Sequence, residues 1–421
     1  MSIRIAGAGC CLMDVLYPHV DFSSSAFVSL RSRRDGDGGL SPGRLAFAED
    51  VERFLVARDA EDGREPRALG EALAELTAGL PPAAENVGGP SIVSLIHAAQ
   101  MLAGEDVKVE FHGLRGDDAL GVRLVALLGR TPVNLVAFRQ TRGRTPSTLV
   151  LSDPSWDEGR GERCFINDLG AAEEFSAAEL NGRFLSADIV ALGGTALVPQ
   201  LHDALPELLS GARRRGALTV VNTVFDYRNE RRSPGAPWPL GPAGAAMGSG
   251  PSSGSALSYR NSDLLIMDLD EALRLSGSGS VAAAADFFEQ SGVGAFVITH
   301  GGERVVAWAG GGRFRPLSRR ELPVSERAGR ELAAQKASGA RVGDTTGCGD
   351  AFAGGMLASL AAQLLASPPA LDLEEAIGWA VAGGAAALFT LGGTYYEGRS
   401  GERRGIVESF HRDWLRQTRE T

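Results

Sequence analysis

Short apolar runs alternate with amphipathic stretches along most of the chain, and this alternation predicts its secondary structure. Buried strands are predicted at 3–6, 107–113, 135–138, 189–192, 218–222, 264–267 and 295–299. Helices are predicted between them at 91–102, 118–128, 200–213, 269–275 and 281–290, and two long apolar helices follow at 349–366 and 373–389. Strands that alternate with helices usually pair in parallel, so the pattern predicts an α/β fold with a mostly parallel central sheet covered on both faces.

Three segments interrupt this rhythm. Residues 19–85 are rich in Gly and charge and then form two amphipathic helices, near 47–57 and 68–80, so we interpret them as an insertion. Residues 228–260 are rich in Pro, Gly and Ser and predict a long loop, and residues 312–340 are predicted to be irregular. Residues 86–90 are predicted to form a turn, with Pro90 at the first position of the following helix.

These interruptions define the predicted domain organisation. The core is assigned to residues 1–18, 86–144 and 171–421, with the long loop and the irregular insert inside its last part. Two strands at 148–151 and 164–167 are assigned to a separate small unit over 145–170, with which the insertion at 19–85 is associated.

Composition excludes several classes of protein. The 421 residues carry a net charge of −10, and an acidic protein has no general attraction for nucleic acid or anionic membranes. The chain has no apolar run of about 18 residues, and its first residues lack the pattern of a signal peptide, so we expect a cytoplasmic protein. The four cysteines have neither zinc-site spacing nor the pattern of a disulfide framework.

The strongest chemical signal is the run VGDTTGCGDAF at 342–352, a glycine-rich turn that opens an apolar helix. The first N–H groups of a helix have no partner within it, and glycines at 347 and 349 let an anion approach them closely. Asp350, in the first turn, can accept a proton from a hydroxyl group. An anion cradle beside a base is what phosphoryl transfer from ATP to an alcohol requires. The alternative is that Asp350 only caps the helix and the glycines only form the turn.

The run DTTGCGDAFAGG at 344–355 resembles the C-terminal signature of the ribokinase-like (PfkB) sugar and nucleoside kinases. Four other segments resemble family motifs in the family's order: Gly88-Gly89, the stretch 113–121, the stretch 263–271 and the stretch 298–301. Apart from the insertions, the resemblance covers about residues 3–395. It implies a ribokinase-like three-layer α/β/α fold with a small β lid that closes over the acceptor.

The resemblance also implies roles for individual residues. Asp350 matches the general base, and Gly347, Cys348 and Gly349 match the anion hole. Asp14 matches an aspartate that binds sugar hydroxyls, beside the diglycine Gly88-Gly89. The remaining matches concern nucleotide and cations: Thr299, Gly301 and Gly302 for ATP, Glu271 and Asp268 for Mg²⁺ held through water, and Asp344 and Thr346 for a monovalent cation such as K⁺.

The sequence departs from the family pattern at two of these places. Asp268 replaces the family's asparagine, which adds charge near the expected metal site. Val93 replaces an asparagine that contacts the sugar in many members, and we expect Asn86 to supply an amide to the acceptor instead. The segment FINDLGAA at 165–172 resembles a run of the adenosine-kinase-like members and favours nucleosides.

The predicted function is therefore transfer of the γ-phosphoryl group of Mg·ATP to a primary hydroxyl of a sugar or related small molecule. Three alternatives remain: a nucleoside kinase, a non-catalytic sugar- or nucleotide-binding protein with the same fold, and an oxidoreductase that binds a dinucleotide at Gly7-Ala8-Gly9. The enlarged lid predicts either a larger substrate or an altered subunit contact, for which a homodimer through the lid is one expectation.

Overall fold

A nine-stranded sheet runs through the part of the chain that the computed structural model describes, namely residues 2–34, 36–159, 161–242, 254–338, 343 and 345–420. Strands are numbered along the chain. In spatial order the sheet contains β14 (Leu317–Pro323), β13 (Arg304–Ala309), β12 (Ala295–His300), β11 (Leu264–Asp268), β10 (Leu218–Asn222), β9 (Ile189–Gly193), β1 (Ile3–Gly9), β5 (Val107–Arg115) and β6 (Asn134–Gln140). The strands from β12 to β6 are parallel, and β13 and β14 pair antiparallel at one edge.

A second sheet of five strands lies beside the first. Its spatial order is β3 (Leu45–Phe47), β8 (Glu162–Asp168), β7 (Ser147–Asp153), β2 (Leu12–Tyr17) and β4 (Ala84–Gly88). We call this sheet the lid. The helices in chain order are α1 (Ser25–Leu30), α2 (Ala48–Glu61), α3 (Leu69–Leu76), α4 (Pro90–Met101), α5 (Ala119–Leu128), α6 (Trp156–Gly159), α7 (Gly182–Leu185), α8 (Pro199–Asp203), α9 (Leu205–Arg214), α10 (Tyr227–Arg232), α11 (Gly254–Asn261), α12 (Leu269–Ser276), α13 (Val281–Ser291), α14 (Glu326–Ala337), α15 (Cys348–Ala366), α16 (Leu373–Ala387) and α17 (Glu402–Glu420).

The central sheet is buried on both faces, as its sequence predicts. Along β1, Ile3 and Ile5 contribute to one hydrophobic core, whereas Ala6 and Ala8 contribute to the other. Such alternation places successive side chains on opposite faces of a strand. The first core also contains residues of α4, α15, α16 and α17, and the second contains residues of α9, α12 and α13. The predicted three-layer α/β/α architecture with a mostly parallel sheet is confirmed.

The predicted irregular segments contain more structure than the sequence indicates. The segment 312–340 includes strand β14 and helix α14, and the proline-rich segment 228–260 includes most of α10 and most of α11. Residues 243–253 lie outside the described residues. Strand β14 is the edge of its sheet and is exposed along Ser318–Glu321, so its sequence lacks the apolar run that marks an interior strand.

The segment 84–90 also differs from its prediction. Residues 84–88 form strand β4 rather than a turn, and they pair antiparallel with β2, where Asp14 lies. The glycine and the polar residues of this segment are typical of turns. Pairing with β2 stabilises the extended conformation. Pro90 does begin the following helix, as predicted.

The insertion at 19–85 forms a separate small core against one face of the lid. Leu151, Cys164 and Ile166 of the lid strands are buried there with apolar residues of α1, α2 and α3. The opposite face of the lid carries Asp14 and its neighbours in the sheet. The insertion therefore covers one face of the lid and leaves the other to the core.

The helix Cys348–Ala366 is long and apolar enough to cross a membrane. Most of it is buried inside the molecule, where its residues Ala351 to Ala361 belong to the core beside α4 and α16.

Candidate active site

Helix α15 begins on a turn that only glycine fits. Gly347 precedes the helix with a φ of +76°, and a Cβ atom there would lie 2.6 Å from the Cα atom of Gly393. The Cys348 N–H donates a hydrogen bond to the Thr345 carbonyl oxygen at 3.2 Å. Gly349 and Asp350 follow in the first turn, where backbone N–H groups have no acceptor within the helix. The segment Gly347–Asp350, which we call the cradle, is therefore suited to bind an anion.

The surroundings of Asp350 disfavour the ionised form of its carboxyl group. Burial raises the pKa of its carboxyl group to about 6. A carboxylate with a pKa near neutrality is a better general base than an ordinary aspartate. This position, in the first turn of α15 and beside the cradle, is the one that the sequence predicts.

Asp14 lies beside the diglycine. A Cβ atom on Gly88 would lie 2.6 Å from the Cγ atom of Asp14, so this carboxylate packs directly against the glycine backbone. Gly89 has a φ of +104°, and a Cβ atom there would lie 2.7 Å from the Cys10 carbonyl oxygen. Gly88 thus allows strand β4 to approach Asp14 closely, and Gly89 allows the start of helix α4 to approach the backbone of Cys10.

One buried thiol shows that Asp14 and Asp350 converge. Burial raises the pKa of the Cys10 thiol, and the carboxylates of Asp14 and Asp350 raise it further. The two aspartates are 336 positions apart in the sequence but act on the same group. The fold therefore brings the candidate hydroxyl-binding carboxylate and the candidate base within electrostatic range of one residue.

Asp268 and Glu271 form a reciprocal cap at the start of α12. The Glu271 N–H donates to Asp268 Oδ1 at 2.8 Å, and the Asp268 N–H donates to Glu271 Oε2 at 3.0 Å. The Thr223 hydroxyl also donates to Glu271 Oε2, at 2.6 Å. Burial, followed by repulsion from Asp268 and Asp350, raises the pKa of Glu271 to about 8. Asp268 thus performs the capping that an asparagine would, and Glu271 lies close enough to Asp350 to sense its charge.

Among the described residues, no three His, Cys, Asp or Glu side chains are grouped closely enough to enclose a metal ion. The Glu271 carboxylate is nevertheless repelled by both Asp268 and Asp350, and a divalent cation would relieve this repulsion. These residues therefore fit a Mg²⁺ ion that is held mainly by phosphates and water.

The candidate nucleotide residues lie at the end of β12, next to this cap. Thr299 is the register partner of Asp268 across the parallel β11–β12 pair. Gly301 has a φ of +50°, and a Cβ atom on Gly301 or Gly302 would meet no atom within 4 Å. The loop is therefore open above the sheet, on the same edge as Asp268.

The candidate cation residues are only partly described. Asp344 lies outside the described residues. The hydroxyl group of Thr346 accepts a hydrogen bond at 3.0 Å from Arg163, which belongs to lid strand β8. Arg163 stands in no recognisable motif, and nothing in the sequence shows that the lid reaches the start of α15.

Asn86 is engaged within the protein. Its Oδ1 accepts from the Val87 N–H at 2.9 Å, and its Nδ2 donates to the Leu391 carbonyl oxygen at 3.4 Å. This amide helps to hold the loop at 391–393 under the cradle, a structural task that the sequence did not indicate. A direct contact of Asn86 with an acceptor stays a prediction.

A row of side chains crosses the lid from Asp14. Register pairs connect Asp14 to Thr148, Thr148 to Asn167 and Asn167 to Phe47, so these residues share one face. The Thr148 hydroxyl donates to Asn167 Oδ1 at 2.8 Å. Asn167 is only 1% exposed, and its Nδ2 has no hydrogen-bond partner among the described residues. The row ends at a cavity of about 450 Å³ lined by Phe47, Asn167, Arg228 and neighbouring residues.

The glycines at 7 and 9 do not form a dinucleotide site. Both lie within strand β1, and a Cβ atom on Gly9 would overlap the Gly193 carbonyl oxygen of β9. The neighbouring strand therefore occupies the space that a pyrophosphate needs. This packing removes the structural basis of the oxidoreductase alternative.

Comparison with known proteins agrees with this geometry. Residues 249–396, which include α12, β12 and the cradle, match the pfkB family carbohydrate kinases. The chain therefore contains a segment similar to this family, on a ribokinase-like fold. Comparison with curated proteins finds no match to the chain.

Solved sugar and nucleoside kinases show the same fold over nearly the whole chain. A probable sugar kinase from Rhizobium etli has 16% identity and a TM-score of 0.63, over 97% of this chain and 100% of that one. The adenosine kinase from Sinorhizobium meliloti has 17% identity and a TM-score of 0.63, over 99% of this chain and 100% of that one. A putative ribokinase II from E. coli, solved with ATP and Mg²⁺, has 14% identity and a TM-score of 0.59, over 97% of this chain and 99% of that one. The resemblance to ribokinase-like (PfkB) kinases is thus confirmed.

Proposed function

We propose that this protein transfers the γ-phosphoryl group of Mg·ATP to a primary hydroxyl group of a sugar or related small molecule. The observation that carries the proposal is the position of Asp350, which lies in the cradle and converges with Asp14 on Cys10. The PfkB segment and the sugar and nucleoside kinases of the same fold support a small-molecule kinase.

Each group has a defined task in the proposed reaction. Asp14 accepts hydrogen bonds from two neighbouring hydroxyl groups of the acceptor and so orients it. Asp350 accepts the proton of the attacking hydroxyl as the new O–P bond forms. The first N–H groups of α15 stabilise the negative charge on the transferred phosphoryl group. The loop with Thr299, Gly301 and Gly302 contacts the nucleotide.

Mg²⁺ would be held from the side of Asp268 and Glu271 through water, and Asp344 with Thr346 would hold a monovalent cation such as K⁺. When bound, the divalent ion neutralises charge on the ATP phosphates. Closure of the lid over the acceptor excludes water as a competing acceptor.

The test is ADP release from Mg·ATP with a panel of sugars, sugar phosphates and nucleosides, each with and without K⁺. We expect acceptor-dependent ADP release that falls by about 10²–10⁴-fold in Asp350→Asn, the usual loss for a missing base. Asp286→Asn is the matched control, because Asp286 is exposed on α13 and pairs with Arg319. Loss of less than tenfold in Asp350→Asn would contradict the assignment of the base. Binding of ATP without ADP release from any acceptor would favour the non-catalytic binding protein.

The cavity beside Asn167 favours a nucleoside as the second candidate acceptor. Strands are about 4.8 Å apart, so Asn167 lies about 10 Å from Asp14, two strands away. A sugar ring bound at Asp14 would place an attached base along this row. There the unpartnered Nδ2 of Asn167 would donate to a ring nitrogen or carbonyl group, and Phe47 offers an aromatic surface.

Two variants separate a nucleoside from a simple sugar. If the acceptor is a nucleoside, Asn167→Ala and Phe47→Ala should each raise its KM about tenfold, the effect of one lost hydrogen bond to a buried group or one lost ring contact. The same variants should leave the KM for a monosaccharide unchanged, because a single ring does not extend to the cavity. Equal effects on both classes of acceptor would contradict the nucleoside candidate.

A further inference from the structure

Arg403 is a buried positive charge whose guanidinium forms no ion pair with a carboxylate among the described residues, although the nearby Glu397 carboxylate accepts the Arg403 backbone N–H at 2.8 Å. It is the second residue of α17 and is only 2% exposed. Its Nε donates to His97 Nδ1 at 3.5 Å, and one of its terminal nitrogens donates to the Ala386 carbonyl oxygen at 3.4 Å. The Tyr395 ring lies 5.1 Å from the guanidinium carbon. These contacts are weak for a group that has lost its hydration.

Three features make this position costly for a cation. Burial lowers the pKa of Arg403 to about 10, so the group stays charged at neutral pH but pays a desolvation cost. Arg403 also lies in the first turn of its own helix, where the backbone dipole repels a positive charge. His97 brings no compensating charge, because burial and then Arg403 hold its pKa well below the usual range.

The guanidinium lies behind the cradle. Arg403 borders a small cavity together with Ala351, in the first turns of α15, and Gly393. Gly393 is the residue that packs against Gly347, so one layer of backbone separates this cavity from the cradle. The Cys348 side chain, at the start of α15, is close enough to raise the pKa of Arg403.

We propose that Arg403 is a positioning residue whose fixed positive charge, behind the cradle, strengthens the hold of α15 on the γ-phosphoryl group. The buried guanidinium and the start of α15 direct positive potential to the same point, and a bound anion there offsets the cost of burying Arg403. Arg403 is only 2% exposed, so its charge is less screened than it would be at the surface. This inference rests on the proposed function, because it assumes that the cradle binds the terminal phosphoryl group of ATP.

Calorimetric binding of Mg·ATP and Mg·ADP, without an acceptor, tests the inference independently of turnover. In Arg403→Met we expect the dissociation constant for ATP to rise about tenfold, the effect of one charge acting at this depth, and that for ADP to change less than about threefold. Arg403→Lys keeps the charge and should stay within about threefold of the wild type for both nucleotides. Arg404→Met is the matched control, because Arg404 is the next residue and pairs with Glu105 and Glu408 at the surface.

The outcomes separate a charge effect from a structural one. Equal weakening of ATP and ADP binding, or the same loss in Arg403→Lys as in Arg403→Met, would overturn the proposal. Arg403→Gln serves as a second neutral variant, and unfolding of both neutral variants would assign Arg403 to stability and likewise overturn it. If no acceptor yields ADP but ATP binding still depends selectively on Arg403, the proposed kinase activity fails and the inference stands. If ADP is released and the ratio of the two dissociation constants is unchanged in Arg403→Met, only the inference fails.

Discussion

The burial of Asp350 determines the pH dependence that we expect for the proposed reaction. Burial raises its pKa to about 6, and a general base must be deprotonated to act. We therefore expect kcat/KM to fall about tenfold per pH unit below pH 6, rather than below pH 4 as for an ordinary aspartate. A pH–rate profile at saturating Mg·ATP measures this limb. A fall centred near pH 4 would contradict a raised pKa of Asp350 in the enzyme that meets the acceptor.

The same burial makes Asp350 a cost to stability. Its pKa is higher in the folded protein than the ordinary value of 3.8, so the folded state holds the proton more tightly. Stability is then lost as the pH rises from about 4 to 6, by at most about 3 kcal/mol. We expect Asp350→Asn, although inactive, to be more stable than the wild type at pH 8, with a gain that shrinks below pH 6. Urea unfolding at pH 8 and pH 5 measures the difference, and Asp286→Asn should show none.

At the scale of elements, the contact between Arg163 of β8 and Thr346 joins the lid to the start of α15. It brings a guanidinium from the lid to the edge of the cradle. We expect Arg163→Ala to lower kcat about hundredfold, as when one charged or polar donor to the reacting group is removed. Arg163→Lys should recover part of this loss, because it keeps the charge but not the planar fork.

Steady-state kinetics of both variants, with thermal melts to verify folding, provide the measurement. Arg53→Ala is the control, because Arg53 is an exposed arginine of the insertion that covers the lid and contacts Asp50. A change confined to the melting temperature would mean that Arg163 only stabilises the closed lid.

The sequence predicts best those elements whose own residues show that they are buried. The strands of the central sheet are apolar on both faces, so short runs such as 189–192 and 264–267 identify them without knowledge of their neighbours. The sequence does not predict strand β4, because its residues Glu85, Asn86 and Gly88 are typical of a turn, nor β2, whose short apolar run is interrupted by Asp14. Edge strand β14 was missed because solvent covers most of it.

Some parts of the candidate site stand in no sequence motif and are brought together only by the fold of the whole molecule. Asp14, Glu271 and Asp350 could be predicted because each stands in a recognisable run. The path from Asp14 to Asn167 and Phe47 depends on strand register, which the sequence does not specify for a polar face. The burial of Arg403 could not be predicted either. An arginine in a helix with many charged residues is expected at the surface, and only the folded structure shows that this one is buried.

The insertion at 19–85 bears on the assembly of the whole molecule. The apolar face of a sheet must be covered, either by other parts of the same chain or by a second copy of the protein. Here Phe27, Val51 and Leu55 of the insertion pack with Leu151 and Ile166 of the lid, and all five are buried within a single chain. We therefore expect a monomer of 44.1 kDa in sedimentation equilibrium, rather than a homodimer formed through this face of the lid.

A variant that exposes the apolar face of the lid tests whether the insertion prevents self-association. Leu55→Asp places a charge in the small core and should loosen the insertion from the lid, at a cost of about 2–5 kcal/mol for a large buried apolar side chain. If the insertion acts as a cover, the variant should begin to self-associate while the central sheet stays folded. Val56→Asp is the matched control, because Val56 is the next residue and is 51% exposed. A dimeric wild type whose mass does not change in Leu55→Asp would place the subunit contact elsewhere, and the insertion would then serve the acceptor site alone.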